Sequence, residues 1–461
     1  MGSIMAFSSS ATSATDDATA ALRTLIVAYA FPPVGGAGVQ RAVKLAKYLP
    51  AHGVAPTVLT VKNPSAPVTD ETLTRDVPPG VAVLRARTLE PGYGAKQAVW
   101  RANKAEKKST RQRVVGAAVG LARRALVPDP QMLWLPDAGP TLARRLRQRR
   151  DRDDVVFITA PPFSQFNLGP LVRALSPTTG LVFDYRDEWS TARTTYEMLK
   201  GPFANAVGER MERALIRCAH CITTATEAFR DNLLSRFPDL DPGRVFAIPN
   251  GYDPDDYPDE RPSPPTDAFV LAYAGTIFKL TSARGLLGAI RKLHARAPDL
   301  AAKLRVRFMG RIVDTELDAF AGTEALGVER LGYVSHDRVL DELSGCHLTL
   351  CILDEVPGVE RIFPAKIFEL MHLGRPVLTL SPPGALTRLV AQHGVGDVIA
   401  PRDEEAICGY LERQLRAFVD EPTRAPEMVG LDREGIRRYH RRALAGEFAD
   451  VMRTARDLAR R

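Results

Sequence analysis

The sequence lacks several features that would assign it to a membrane or secreted class. No uninterrupted apolar stretch reaches the roughly 18 residues that a membrane-spanning helix needs. Met1 to Ala21 is rich in Ser, Thr and Ala and has neither a basic start nor an apolar core, so it does not resemble a secretory signal. We therefore predict a disordered tail over residues 1–22 and a cytoplasmic protein.

Cysteine is also scarce, with five residues among 461. This odd and sparse set does not suit a disulfide framework, which agrees with a reducing compartment. Cys218 and Cys221 have the spacing of a metal or redox pair, but no second ligand pair lies nearby, and we interpret them as packing residues. Asp151 and Asp153 have an Asp-x-Asp spacing inside an arginine-rich run, and we give them no metal-binding role.

What the sequence does contain is the composition of a globular chain with more than one domain. It is 45% hydrophobic and 25% charged, and its length suits two cores better than one. The formal net charge of +8 favours anionic partners such as nucleotide diphosphates, nucleic acid or an acidic membrane surface. A generally arginine-rich composition would give the same charge without such a partner.

Short apolar runs alternate with helical patterns along the chain. Leu25–Tyr29 is typical of a buried parallel strand. After a glycine-rich turn, Val39–Leu49 has helical spacing, with residues such as Val43 opposite the polar Arg41 and Lys44. Further strands are predicted at Pro56–Val61, Val81–Arg85, Asp154–Thr159, Gly180–Asp184, Cys221–Thr224, Val245–Ile248, Val270–Tyr273, Leu304–Met309, Val328–Leu331, Leu348–Ile352, Pro376–Leu380 and Gly396–Ile399.

A segment crowded with Pro and Asp separates two such alternating series, and we place a linker there at 253–268. Alternating strands and helices imply parallel sheets covered by helices, and right-handed crossovers make each series a doubly wound fold. We therefore predict an α/β protein of two Rossmann-like domains, at 23–252 and 269–432, with a cleft between them. A charged amphipathic helix is predicted over 433–461.

Two glycine turns follow predicted strands, where ligands bind in open parallel sheets. The first is Gly35-Gly36-Ala37-Gly38, which matches neither the G-x-G-x-x-G nor the Walker pattern and has a purely structural turn as its alternative. The second contains Gly275 and Thr276. Lys279 and Arg284 follow it as candidate phosphate ligands, with solvated charges as the alternative.

A charged and aromatic cluster follows the strand at Gly180–Asp184. It contains Arg186, Asp187, Glu188 and Trp189, which could contact the hydroxyls or charges of a substrate. A structural network of ion pairs is the alternative.

The segment from Phe363 to Glu369 is the most informative motif. Pro364 can start a helix, which would leave the amides of Ala365, Lys366 and Ile367 free for a diphosphate, and Lys366 adds a cation. Glu369 then suits a bidentate grip on two adjacent ribose hydroxyls. The alternative is an ordinary helix start with a glutamate favoured by the helix dipole.

Taken together, these stretches resemble glycosyltransferase family four, whose members are retaining enzymes with a GT-B fold. The resemblance runs from Arg23 to the C-terminus, and the order and spacing of the motifs carry it. The matching stretches are Leu25–Leu59, Asp184–Trp189, Val245–Asp253, Ala272–Thr276 and Phe363–Val377.

The resemblance implies transfer from a nucleoside-diphosphate sugar, and we expect UDP or GDP as its nucleotide. Because no Asp-x-Asp motif lies in a plausible donor loop, we also predict no essential metal, and we expect no cofactor. The resemblance implies a donor site in the second domain, where Glu369 holds the ribose, Tyr333 and Val334 hold the nucleobase, and Lys279 or Arg284 meets the diphosphate. It also implies an acceptor site in the first domain and a C-terminal helix that braces that domain. We expect a small acceptor of the natural-product type.

Three features depart from the family pattern. The first of its two glutamates would fall at position 361, which is Arg361, with Glu360 one place away. Arg361 is therefore a candidate contact to the donor. The histidine that many relatives carry after a Pro-Pro turn is absent, and Gln165, Phe166 and Asn167 stand there instead. The phosphate-binding arginine expected soon after Gly275 is also displaced.

Other functions remain compatible with these residues. The acceptor could be a cell-surface polysaccharide or a lipid-linked glycan, and the chain could be a sugar-nucleotide epimerase of the same fold or a non-catalytic binder. The basic stretch at 96–124 lacks interleaved aromatic residues, so we predict no nucleic-acid partner. A solvated helix face or a peripheral membrane contact suits this stretch better.

Overall fold

The structure is a computed structural model that contains two parallel β-sheets, each flanked by helices. It describes residues 21–66, 68–94, 96, 126–148, 152–191, 202–258, 260, 262–424 and 426–461. The predicted tail and nearly all of the basic stretch at 96–124 lie outside these ranges. Within them, no helix combines the length and the apolar character required to cross a membrane.

The first sheet has seven strands in the order β3-β2-β1-β4-β5-β6-β7, and all neighbouring pairs are parallel. Its strands are β1 Leu22–Val27, β2 Val54–Val61, β3 Ala82–Ala86, β4 Val155–Ala160, β5 Gly180–Tyr185, β6 Cys221–Thr224 and β7 Val245–Ala247.

The second sheet has six parallel strands in the order β10-β9-β8-β11-β12-β13. Its strands are β8 Phe269–Ala274, β9 Leu304–Met309, β10 Val328–Gly332, β11 Leu348–Ile352, β12 Val377–Leu380 and β13 Asp397–Ile399. These two sheets confirm the predicted α/β fold with two Rossmann-like domains.

Helices cover the faces of both sheets. They are α1 Ala37–Tyr48, α2 Leu135–Leu146, α3 Gly169–Leu175, α4 Pro202–Ile216, α5 Glu227–Arg236, α6 Arg284–Arg296, α7 Pro298–Ala301, α8 His336–Ser344, α9 Lys366–Leu373, α10 Ala385–His393, α11 Glu404–Asp420 and α12 Arg441–Arg460. Central strands such as β4 are buried at every residue, which explains why they read as continuous apolar runs.

The strand order reverses between β1 and β4 in the first sheet and between β8 and β11 in the second. At such a switch point the connections leave in opposite directions, which opens a crevice at the carboxyl ends of the two strands. The turns at Gly35–Gly38 and at Gly275–Thr276 follow β1 and β8 respectively, so each lies at a crevice of its own sheet.

The C-terminal helix begins later than the sequence predicts. The expected helix at 433–461 starts at Arg441, after a 3-10 turn at Gly435–Tyr439. The chain crosses from the second domain to the first at this point, where Tyr252 donates to Tyr439 and accepts from the Arg441 amide. These bonds hold His440 in an extended conformation. The 3-10 turn therefore ends at Tyr439, and α12 begins at Arg441.

Beyond this crossing, α12 packs on the first sheet rather than on the second. The Phe448 ring meets Phe157 of β4 edge to face at 5.6 Å. Gly180 at the start of β5 permits the closest approach, because a Cβ there would lie 2.7 Å from the backbone of Ala455. The last helix of the chain therefore belongs to the core of the first domain.

Candidate active site between the two domains

At the carboxyl end of β8, a lysine lies over a glycine turn. The Lys366 Nζ is 3.8 Å from the centre of the Tyr273 ring, a cation–π contact. Gly275 has φ +140°, and a Cβ at this position would lie 2.5 Å from the same Nζ. The turn therefore requires glycine both for its backbone conformation and for the approach of the lysine.

Lys366 is also the first residue of α9, and Ala365 precedes it as the N-cap. The amide of Ile367 donates to Pro364 O at 3.0 Å, so the expectation that it is free for an anion is wrong. A tight turn at Pro364 uses this amide and leaves those of Ala365 and Lys366 to bind an anion. The helix start and the ammonium group thus give one positive position at the end of β8.

Glu369 is half-buried in the first turn of α9, and its backbone oxygen accepts from the Tyr257 hydroxyl at 2.8 Å. Its carboxylate acts on His336 at the start of α8. Burial alone would lower the pKa of His336, but the hydrogen bond with Asp256 and the charge of Glu369 outweigh it and raise that pKa.

The two other predicted phosphate ligands differ in their surroundings. Lys279 is exposed and starts a 3-10 turn at Lys279–Thr281. The Arg284 guanidinium donates to Asp318 at 3.1 and 2.6 Å and to Thr315 O at 2.9 Å. The expectation that Arg284 meets a diphosphate is therefore wrong in this structure, because ion pairing within the second domain takes up its donors.

Backbone contacts shape the neighbouring parts of the second domain. The Thr276 carbonyl accepts from the Tyr273 hydroxyl at 3.2 Å and from Thr281 Oγ1 at 2.7 Å. Tyr333 reaches across the cleft, where its hydroxyl donates to Asp70 at 3.0 Å. Val334, the second predicted nucleobase contact, packs against the apolar core of the second domain.

The glycine turn of the first domain faces Tyr333. A Cβ at Gly35 would lie 3.0 Å from the Tyr333 hydroxyl, and Gly36 has φ +96° as the N-cap of α1, so α1 begins at Ala37. The carbonyl of Gly38 accepts from Arg186. The turn therefore lies directly at the cleft, between β1 and the second domain.

The position of two polar residues of α1 opposite Val43 suggests a face of the helix that meets solvent. Both residues lie instead in the core of the site. Arg41 is 2% exposed and pairs with the buried Asp184 at 2.9 Å. Lys44 is also 2% exposed, and its Nζ lies within 2.7 Å of oxygens of three aspartates. In the sequence, the aspartate-rich segment at 253–256 is a signal for two of the partners of Lys44, and Asp184 lies at the end of β5, beside the charged stretch that follows this strand.

These three aspartates, Asp76, Asp253 and Asp256, form the one group of carboxylates, histidines or cysteines in the described ranges that is close enough to hold a metal ion. The Lys44 ammonium already lies 2.7, 2.7 and 2.5 Å from them. Burial alone would raise the pKa of Asp253, but Lys44 and Lys47 outweigh it and hold that pKa far below its usual range. An internal cation therefore balances this cluster.

Gln165 does not face a substrate, contrary to expectation. It is fully buried, and its amide donates to Thr159 O at 2.8 Å and to Pro162 O at 3.1 Å. Its oxygen accepts from the Tyr29 amide at 2.8 Å. Gln165 therefore joins the Pro-Pro turn after β4 to the end of β1, and all of its hydrogen-bonding capacity goes to the backbone.

The cluster after β5 divides into two parts. Arg186 donates to the carbonyls of Gly38, Ala160 and Pro161, which fixes the rim of the crevice. Asp187, beside it, lines a cavity of about 440 Å³ in the first domain.

Glu188 turns the other way and meets the second domain. Its carboxylate accepts from Arg361 Nε at 2.6 Å and from Nη2 at 2.9 Å, and also from Asn232 at 2.8 Å. Arg361 further pairs with Glu360, and its carbonyl accepts from Thr226 at 2.7 Å. The arginine at the position of the missing glutamate thus ties the two domains together, so neither Glu188 nor Arg361 is available to a substrate in this state.

Comparison with known proteins agrees with this arrangement. Residues 35–251 match the family described as "Glycosyl transferase 4-like domain". The chain is 28% identical over 240 residues to D-inositol 3-phosphate glycosyltransferase from Stackebrandtia nassauensis. This match covers 50% of the chain and 52% of the relative, so the chain spans about half the length of that protein.

Solved structures share the fold over nearly the full length. Sucrose-phosphate synthase from Thermosynechococcus elongatus has a TM-score of 0.61 at 14% identity, covering 94% of this chain and 98% of its own. The Anabaena protein HepE, solved with UDP and glucose, has a TM-score of 0.57 at 14% identity, covering 93% and 98%. At these identities the likeness concerns the fold alone.

Proposed function

We propose that this chain, which belongs to the family-four type of glycosyltransferases and has a GT-B fold, transfers a glycosyl group from a nucleoside-diphosphate sugar to a small-molecule acceptor. The position of Lys366 carries the proposal, because its ammonium lies at the end of β8 beside Gly275 and at the start of α9. A fixed cation and helix amides there stabilise the charge that develops on a leaving diphosphate. The family assignment confirms the resemblance stated from the sequence.

The donor in this proposal carries UDP or GDP. A structure of the same fold holds UDP and glucose, which makes UDP the first nucleotide to test. Glu369 lies three residues beyond Lys366 on α9, so the two side chains are neighbours on one face of the helix. We assign the ribose hydroxyls to this carboxylate.

Two further parts of the proposal concern the chemistry. The transfer proceeds with retention at the anomeric carbon, which the family resemblance supports. It needs no metal ion, because Lys366 and the amides of Ala365 and Lys366 supply positive charge to the diphosphate. The acceptor enters from the first domain and is a small molecule of the natural-product type.

The proposal is tested by thermal unfolding in the presence of UDP, GDP, ADP and dTDP, without added metal. A nucleotide that binds only the folded state raises the unfolding temperature in proportion to ln(1 + [L]/Kd). We expect one nucleotide to stabilise the protein, and Lys366→Met to bind it about 10- to 100-fold more weakly, since a hydrogen bond to a charged group contributes about 1.5–3 kcal/mol.

Lys303→Met is the matched control, since Lys303 is exposed and precedes β9, at the amino end of the sheet. Its nucleotide-dependent stabilisation should equal that of the unsubstituted protein. Equal stabilisation of the Lys366 variant, or stabilisation only after addition of magnesium, would contradict the proposed donor site.

A further inference from the structure

A cavity of the first domain lies beside the carboxyl ends of β1, β4 and β5. It has a volume of about 440 Å³. This volume is within the range of small-molecule sites, roughly 300–1,000 Å³. Its lining includes Tyr29, Pro162, Phe163, Trp189 and Ala204.

Stacked rings form one wall of this cavity. Trp189 and Phe163 lie parallel, with ring centres 4.9 Å apart and planes inclined by 15°, and both are buried. Val127 and Pro128 contribute alkyl surface, and Ala204 of α4 closes a further side. Such walls gain free energy from contact with apolar or ring-bearing molecules, whereas an ion placed against them would lose its hydration without compensation.

The charged groups of the cavity do not suit an anionic ligand. Arg186 is the sole cationic side chain among the described lining residues, and its guanidinium already donates to the backbone carbonyls of Gly38, Ala160 and Pro161. Asp129 and Asp187 also line the cavity and would repel a phosphate. The charge at the site therefore favours a neutral ligand.

The cavity shares two lining residues with a smaller cavity that residues of the second domain also line. Arg186 and Asp187 line both cavities, and the other walls of the smaller one, of about 30 Å³, include Arg361 and Phe363. A molecule seated against Trp189 can thus present a hydroxyl past Asp187 to the cleft between the domains.

We propose that the acceptor is a neutral, ring-bearing molecule with a hydroxyl group, which binds in this cavity, and not a sugar phosphate or an inositol phosphate. This inference rests on the proposed function. In the transfer, the acceptor oxygen bonds to the anomeric carbon while the bond from that carbon to the diphosphate oxygen breaks. The electron pair remains on the diphosphate, and the hydroxyl proton leaves to the diphosphate or to solvent.

The test measures the binding of naphthol to the full-length chain by calorimetry, with inositol phosphate and glucose phosphate as competitors. Ala204→Phe fills the cavity and should weaken naphthol binding at least about 10-fold, because the added ring takes the space of the ligand. Ala206→Phe is the matched control, since Ala206 lies on the same helix and is exposed. Asn205→Trp, which places a larger side chain in the lining, should also weaken naphthol binding by taking space from the ligand, and it protects the test against misfolding of the first variant.

Transfer is measured in parallel with UDP-glucose and GDP-glucose as donors, by mass spectrometry of the glycosylated naphthol. Displacement of naphthol by either phosphate, equal binding by Ala204→Phe, or transfer to the phosphates alone would overturn the inference. Nucleotide-dependent thermal stabilisation of the Ala204 variant separates the two proposals. If nucleotide binds but naphthol does not, only the inference about the acceptor fails. If no nucleotide binds, the proposed function fails, and the binding of naphthol still shows whether the cavity takes a neutral, ring-bearing ligand.

Discussion

Glu369 is the residue at which one substitution, of a carboxylate oxygen by an amide nitrogen, tests the proposed contact with the ribose. It lies in the first turn of α9, and the Tyr257 hydroxyl fixes the backbone there through a 2.8 Å hydrogen bond. A carboxylate can accept hydrogen bonds from two adjacent hydroxyls at once, whereas an amide of the same shape has only one accepting oxygen. Substitution by glutamine therefore changes the chemistry and keeps the volume.

We expect Glu369→Gln to weaken nucleotide binding about 10-fold, because one hydrogen bond to a charged group is lost. The same variant should no longer distinguish the ribose nucleotide from its deoxyribose analogue, which the unsubstituted protein should bind more weakly. Glu405→Gln, an exposed position at the start of α11, is the control and should bind both nucleotides normally. Retained discrimination in the Glu369 variant would remove its role at the ribose.

At the scale of helices and strands, local patterns predicted the sheets well and the charged interior poorly. The strands at Cys221–Thr224, Leu304–Met309 and Leu348–Ile352 lie where the sequence predicts them. The change to polar or turn-forming residues on either side shows where such a strand begins and ends. Arg41 on α1 pairs with Asp184 of β5, 143 residues away, and Lys44 pairs with Asp256 after β7, 212 residues away. Helical spacing carries no information about such distant groups.

The same limit explains the outcome for the candidate site. Lys366, Gly275 and the start of α9 could be grouped from the sequence, because each follows a strand of one sheet and the carboxyl ends of parallel strands lie together. The pairing of Glu188 with Arg361 spans 173 residues and two domains. The burial of Gln165 depends on the path of the Pro-Pro turn, and the hydrophobic periodicity of the sequence does not predict the path of a turn.

The start of α8 contains a pH-sensitive contact between the domains. The His336 ring nitrogen lies 3.3 Å from Asp256, and the amide of His336 donates to Asp70 of the first domain at 3.2 Å. Burial and Lys44 disfavour the protonated ring, but Asp256 and Glu369 outweigh them, so the pKa of His336 is raised. A raised pKa stabilises the folded protein below the ordinary value near 6.5, and this stabilisation is lost as the pH rises through the raised value.

We therefore expect the unfolding temperature to fall as the pH rises above 6.5. In His336→Gln this fall should be smaller by about 1–3 °C, which is the change in unfolding temperature that a fraction of a kilocalorie per mole produces in a protein of this size. Differential scanning calorimetry between neutral and alkaline pH measures the effect. His294→Gln on α6 provides the comparison, because the His294 ring nitrogen lies 3.2 Å from a backbone oxygen, that of Leu326. An identical pH dependence in the His336 variant and the unsubstituted protein would be evidence against the contact.

At the scale of the whole molecule, the described residues include two ion pairs between the domains that differ greatly in burial. Glu188 is 4% exposed and Arg361 23%, and their two hydrogen bonds form a bidentate pair. Arg75 and Asp337 form a second pair at 2.6 Å, but these side chains are 51% and 37% exposed. Exposed pairs contribute about 0.2–1 kcal/mol, whereas removal of one partner from a buried pair costs about 3–5 kcal/mol.

This difference predicts which pair keeps the cleft closed. Arg361→Met leaves the Glu188 carboxylate buried without its cation, so we expect the domains to separate, with a larger radius of gyration in small-angle X-ray scattering and higher KM values for both donor and acceptor. Arg75→Met removes a pair of similar geometry at the surface and should change neither quantity measurably.

Adding Glu188→Gln to the Arg361 variant should restore part of the closure, because the uncompensated charge is then gone and the two substitutions are not additive. Equal opening by the two arginine variants would mean that the buried pair does not determine closure and that Arg361 has to be reconsidered as a contact to the donor.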